Sequence, residues 1–373
     1  MYHGFHFHRT ALSRFLTLFP LRPVTFLSRQ RSPVKHLTYW HRPHTSRTKL
    51  PIVFIHGIGI GLYPYVDFLQ ELNSASGIER GGLDEQVGII AIEIMPVSFR
   101  ITHQALGKEE ICEEIQTIVE HHGFSKYVLT AHSYGTAVAT YMLKSERTSN
   151  NIESVVFIDP ITILLHLPDV AYNFTRRRPT KANEHQLYYF ASMDMGVSHT
   201  LARSFFWSDA ILWKNDFGGR RVTCSLAQRD LIVNTEAVGR YLTSSDYDST
   251  NHANKNDACN GFMESKGNDY RESHGDGHVK SNSNAYRESN GFAMTYRHIH
   301  RGHDAAANGH AKAHRKEDDY LPTAGDWKSR PWRGQGLEIL WQNGLDHAQV
   351  FDSANRRKGL ISAIKTYSAQ RAD

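Results

Sequence analysis

From Pro51 onward, short apolar runs rich in β-branched residues alternate with segments of helical period, and this alternation constrains the fold more than any other feature. PIVFIH ends in a glycine cluster from Gly57 to Gly61, as a buried strand followed by a tight turn would. YPYVDFLQEL spaces Tyr65, Phe68, Leu69 and Leu72 along one helical face. VGIIAIEI, from Val87, reads as a second strand. KEEICEEIQTIVEHHG reads as a helix with Ile111, Ile115 and Ile118 on one face and Gly123 past its end. KYVLTA, the helix within HSYGTAVATYMLK, and VVFID ending at Asp159 continue the pattern. Strands apolar on both faces, each followed by an amphipathic helix, predict an α/β fold: a mostly parallel central sheet flanked by helices.

The alternation breaks twice. From Pro160 to about Gly219 the chain is helical in period and strongly aromatic, as in TLARSFFWSDAILWKNDF. RRVTCSLAQRD and NTEAVGRYL then restore a strand and a helix. Between Thr243 and Leu321 the composition falls to Asn, Ser, Gly, His, Asp and Lys, with near copies YRESHG from Tyr270 and YRESNG from Tyr286. Such a tract buries too little apolar surface to offset its ordering entropy, so a disordered insertion is expected over about 244–325. This tract depresses the mean hydropathy to −0.48. GLEILW, from Gly336, reads as the last strand, and RRKGLISAIKTYSAQ as a closing helix.

The first 48 residues form a basic extension ahead of a domain spanning 49–373; from Arg9 to Lys49 this stretch carries repeated Arg and Lys and no acid. Its apolar run, FLTLFPLRPVTFL, is broken by Pro20, Arg22 and Pro23, too short for a bilayer, and followed by no small-residue cleavage site. The composition suits a mitochondrial transit segment, an arm on an anionic membrane face, or an extension packed on the domain. An intracellular placement (cytoplasmic, membrane-associated or mitochondrial) is expected rather than secretion. The net charge of +5 comes with no basic patch interleaved with aromatics, which argues against nucleic acid as a partner. Cys112, Cys224 and Cys259 are too scattered for a disulfide framework or a zinc site. No metal or cofactor is expected, and His3, His6 and His8 imply no ordered site.

Ala131-His132-Ser133-Tyr134-Gly135 lies between strand KYVLTA and helix GTAVATYMLK, the context of a G-x-S-x-G nucleophile elbow with Ala131 for the first glycine. Ser133 is therefore the candidate nucleophile. A serine hydroxyl needs a base, and His347, after the last strand, is placed to provide it. Asp230 closes the strand before and gives the chain order Ser, Asp, His; Asp159 is the alternative acid, and an N-cap is the competing role for Asp230. The glycine loop His56-Gly57-Ile58-Gly59 faces the elbow. The backbone N–H groups of Ile58, or a neighbour in that loop, and of Tyr134 are the candidate oxyanion donors. His56 is expected to brace the loop.

HGIGIG, AHSYGTA, AQRDLIVN and LDHAQVF together resemble the α/β-hydrolase superfamily, in particular fungal-type serine hydrolases of the AB-hydrolase-1 kind. The resemblance runs from about Leu50 to the C-terminus apart from the polar insertion. It implies Ser133 as nucleophile, Asp230 as acid, His347 as base, and residues 160–219 in the place of a helical cap. It also implies hydrolysis of an ester-type bond (carboxylic ester, lipid or thioester) through an acyl-enzyme. Leu164, Phe206 and Trp207 would line an apolar tunnel above Ser133, and Gly57 would bind substrate with them, which suits a hydrophobic or lipid substrate. The loop MPVSFRIT departs from the acidic, Arg-Gly-rich loop of many relatives, so specificity does not carry over. A ligand-binding or scaffold protein without turnover, membrane-associated through the basic N-terminus, is the alternative.

Overall fold

The computed structural model of the protein describes residues 4–11, 27–72, 86–244 and 327–369. The chain divides into two units, Met1–Ser244 with Ala324–Asp373, and Ser245–Thr323. The expected polar insertion falls, Ser244 apart, outside the described residues.

Eight strands build one sheet: β1 (His6–His8), β2 (Thr38–Arg42), β3 (Ile52–Ile55), β4 (Ile89–Glu93), β5 (Tyr127–His132), β6 (Ile152–Ile158), β7 (Arg221–Ala227) and β8 (Leu337–Gln342). Their spatial order is β1-β2-β4-β3-β5-β6-β7-β8. From β4 across to β8 every pairing is parallel, whereas β1 pairs β2, and β2 pairs β4, in antiparallel fashion. Strands β3 to β8 arise from the six apolar runs identified above. Strand order reverses at β3, which has β4 on one side and β5 on the other, and such a reversal opens a crevice at the carboxyl ends of its strands. Gly57 and Ser133 follow the ends of β3 and β5.

Side-chain alternation divides the core. Val53 and Ile55 point to a cluster covered by α2 (Lys108–His121) and α3 (Gly135–Lys144), while Ile52 and Phe54 point to a second. That second cluster is closed by Phe68 and Leu69 of α1 (Val66–Glu71) and by Leu360, Ile364 and Tyr367 of the C-terminal helix. All four β3 residues are buried, as a central strand covered on both faces requires.

Between β6 and β7 the chain forms α4 (Pro168–Thr175), α5 (Ala182–Leu187), a π-helical turn at Tyr188–Ser192, α6 (Met195–Arg203) and α7 (Trp207–Ala210). Neither α4 nor α5 buries a residue. After β7 come α8 (Thr235–Thr243) and, after β8, α9 (Ala354–Ala369).

The sheet takes in more chain than the sequence boundary at residue 49 allowed: β1 and β2 both come from the basic extension. His41, Arg42 and Trp40 conceal the strand because its polar residues are buried by particular partners. Arg42 is fully buried, its Nε donating to the Val87 carbonyl at 3.3 Å and its guanidinium 5.0 Å from the Phe5 ring. Among the described residues no helix is long and apolar enough to cross a membrane.

Candidate active site

The turn from β5 into α3 places Ser133 in the left-handed region, at φ 49°, a conformation that costs a non-glycine residue about 1–3 kcal/mol and persists only where surrounding structure enforces it. The enforcement is visible. Ser133 N–H donates to Ile158 O at 3.0 Å, and Thr136 Oγ1 donates to Ser133 O at 2.6 Å. A methyl group on Gly135 would lie 2.4 Å from Ile55 O and 2.7 Å from His56 O, so only glycine fits there. Ala131, two residues before the serine, is fully buried and accommodated.

Ser133 Oγ lies 2.9 Å from His347 Nε2, and His347 Nδ1 lies 2.8 Å from Asp230 Oδ2. With Asp230 as a carboxylate, Nδ1 carries the proton and donates, which leaves Nε2 to accept from the serine hydroxyl. The other Asp230 oxygen accepts from the N–H groups of Ile232 and Val233, both at 2.8 Å. The N-cap of α8 is Asn234, whose side chain accepts from Ala237 N–H at 3.1 Å, so Asp230 does not fill that role. Burial alone would lower the pKa of His347, but the adjacent Asp230, then Asp159 and Asp346, raise it to about 9.

Asp159 does not hold the base. Its Oδ1 accepts from Ala227 N–H at 3.2 Å and its Oδ2 from Ala348 N–H at 2.8 Å. Asp346 ties the same region together, accepting from Leu231 N–H at 2.9 Å, His347 N–H at 2.7 Å and Asn183 Nδ2 at 2.8 Å. Asp159, Asp230 and His347 bring one donor atom each within 4.8 Å of the others. Those groups are spent on hydrogen bonds within the constellation, which argues against a metal there.

Gly57 packs on the elbow so closely that a methyl group would meet Ser133 Cβ at 2.7 Å. His56 braces this loop from within: Nδ1 donates to Gly57 O at 2.6 Å and Nε2 accepts from Ile94 N–H at 2.9 Å. Among the described residues, neither the Ile58 nor the Tyr134 N–H is engaged in a hydrogen bond. The tunnel residues are less enclosed than expected. Leu164 is half-buried against the core, while Phe206 and Trp207 are 63% and 54% exposed.

Tyr65, in sequence only an apolar position on a helical face, and His132, beside the nucleophile, take a part that the sequence does not show. Tyr65 Oη accepts from Gly57 N–H at 3.2 Å and lies 2.8 Å from His132 Nδ1. No local pattern signals this, because the two residues meet only once β3 and β5 pair.

The sequence profile of the alpha/beta hydrolase fold family matches residues 51–252. Among curated proteins none matches the chain. Solved structures similar to it include a 2-hydroxy-6-oxo-6-phenylhexa-2,4-dienoate hydrolase from Rhodococcus sp. strain RHA1, at 12% identity and a TM-score of 0.37, over 56% of this chain and 83% of that one. Carboxylesterase CesB from Bacillus subtilis is similar at 12% identity and a TM-score of 0.36, over 55% of this chain and 74% of that one.

Proposed function

Because the chain belongs to the alpha/beta hydrolase fold family, a family that supports hydrolase activity in general, we propose that it is a serine hydrolase acting on an ester-type bond of a hydrophobic substrate. The observation that carries this reading is the unbroken chain of hydrogen bonds from Ser133 Oγ through His347 to Asp230, at 2.9 and 2.8 Å.

Ser133 Oγ attacks the carbonyl carbon as its proton passes to His347 Nε2. The oxyanion is stabilised by the unspent N–H groups of Ile58 and Tyr134, while Asp230 stabilises the imidazolium. Collapse breaks the bond to the leaving group, which takes the proton from Nε2. Water then enters, gives a proton to His347, and releases the acid from the acyl-enzyme by the same steps in reverse. The apolar side chains of the helical segment, with Leu164, Phe206 and Trp207 among them, support a fatty-acyl or other hydrophobic ester, lipid or thioester as substrate. Half-exposed aromatics of this kind suit an open approach to Ser133 better than a closed tunnel.

Labelling with a fluorophosphonate probe tests the reading, comparing the natural protein with Ser133→Ala and His347→Ala. The expected result is labelling that both substitutions abolish. A folded natural protein that does not label would turn the reading to ligand binding without turnover.

A further inference from the structure

We propose that His8, His41 and His122 bind one divalent transition-metal ion of the zinc class at the edge of the sheet. The site is separate from the catalytic constellation: β1 and β2 carry His8 and His41, with β4 and β3 standing between them and the nucleophile's strand. His122 comes from the C-terminal end of α2, so the three rings join two edge strands to a helix.

Three observations converge. One ring nitrogen from each histidine lies within 4.8 Å of those of the other two. His8 is 6% exposed, and its Nε2 is buried with no hydrogen-bond partner among the described residues, an unfavourable situation for a polar atom that a bound ion would relieve. Tyr39 Oη lies 3.1 Å from His8 Nδ1 and so orients the His8 ring, while its 2.9 Å contact with His122 Nε2 is one that an entering ion would replace. With the proton on Nδ1, donated to Tyr39 Oη, that hydrogen bond fixes the His8 ring and leaves His8 Nε2 as the ligand atom.

An all-imidazole donor set selects zinc, copper or nickel over magnesium or calcium, and three protein ligands leave a fourth position for water. His41 and His122 lie face to face with centroids 3.6 Å apart, so an entering ion has to turn one ring out of the stack. His122, half-buried at a helix end, is the one with room to turn.

The test is titration of the full-length, chelator-stripped chain with Zn2+, and with Co2+ as a spectroscopic reporter, against His41→Gln and His122→Gln. The chain has 23 histidines, so the difference between natural protein and variants is the reading that counts. The natural protein is expected to take up one more equivalent of Zn2+ than either variant, or to hold it at least about tenfold tighter. It should show visible Co2+ bands and a Zn2+-dependent rise in Tm that the variants lack. If His41→Gln does not fold, His122→Gln, at the half-buried position, decides alone. Equal uptake and equal Tm rise in natural protein and His122→Gln, or no rise in either, overturns the proposal.

Discussion

His132 Nε2 lies 3.7 Å from Asp159 Oδ2 in the buried layer behind Ser133. Tyr65 Oη accepts from Gly57 N–H, so its own proton goes to His132 Nδ1, and the neutral His132 carries its proton on Nε2, facing Asp159. Burial keeps His132 in that neutral form by lowering its pKa. Asp159 then accepts from Ala348 N–H, next to the base. A continuous line of contacts thus joins the glycine loop to the loop that carries His347, with Asp159 acting on the base through its neighbour.

The two aspartates should accordingly respond differently to the same isosteric change. Asp230→Asn is expected to lower kcat on an activated ester by about 10³–10⁴-fold, since the amide removes the group that fixes the imidazole tautomer. Asp159→Asn keeps an oxygen for Ala348 N–H and is expected to cost about tenfold, close to 1.4 kcal/mol of barrier. Equal losses in two variants with unchanged circular dichroism would remove the distinction between the roles.

The raised pKa of His347 sets the pH dependence. Catalysis needs neutral imidazole, so kcat/KM should climb as pH rises, pass half its maximum near pH 9 and level off only above that. After desolvation, which opposes it, Asp230 makes the largest contribution to the shift, so Asp230→Asn should move the rising limb of its residual activity to lower pH. Stability runs the other way. A histidine whose folded pKa lies above its unfolded value of 6.5 adds stability that is full below pH 6.5 and is lost as pH rises through about 9. Denaturant midpoints for natural protein and His347→Gln should therefore differ more at pH 6 than at pH 9.5. A rate profile already flat at pH 6.5 would contradict the assignment.

The elbow gives a stability prediction independent of catalysis. Gly135→Ala puts a methyl group against two backbone carbonyls of β3 and its loop, atoms that cannot rotate away. The expected cost is at least about 1–3 kcal/mol, the range for overpacking, measured as a lower urea midpoint at unchanged slope. Ala131→Gly, at the position where the chain already tolerates a methyl, should cost less. A Gly135→Ala variant as stable as the natural protein would mean the turn is looser than these contacts require.

What the sequence reveals follows from how local each signal is. Strands β3 to β7 are legible because buried parallel strands must be apolar on both faces, the edge strand β8 because LEILW is a short, mostly apolar run after a glycine, and Ser133 because strand, serine, glycine and helix are contiguous. The geometry brings His347 to Ser133 and Asp230 to His347 from strand ends more than a hundred residues apart in chain order; the position of each after its strand points to His347 and Asp230, with Asp159 left as the alternative acid. Strand β2 was not legible. Tyr39 and His41 are polar residues buried by partners, His122 above all, that only the folded chain supplies. The Tyr65–His132–Asp159 line was hidden for the same reason.

The insertion between β7 and β8 leaves and rejoins the fold at one helix, which makes its removal a clean test of the domain boundary. Thr243 ends α8, and on the return Trp327 packs its ring over Gly239 while Lys328 Nζ lies 2.7 Å from Glu236 Oε2. Both flanks are therefore anchored to α8, and a short linker can join them without moving Asp230 or His347. Loop-closure entropy changes by about 0.6 kcal/mol per halving of length, so replacing residues 245–323 with a linker of about ten residues, three halvings, should stabilise the fold by about 2 kcal/mol. The shortened protein is expected to melt at or a few degrees above the natural Tm and to label at Ser133 at an unchanged rate. Insoluble protein, or a folded one that no longer labels, would show that these residues take part in the fold or the site.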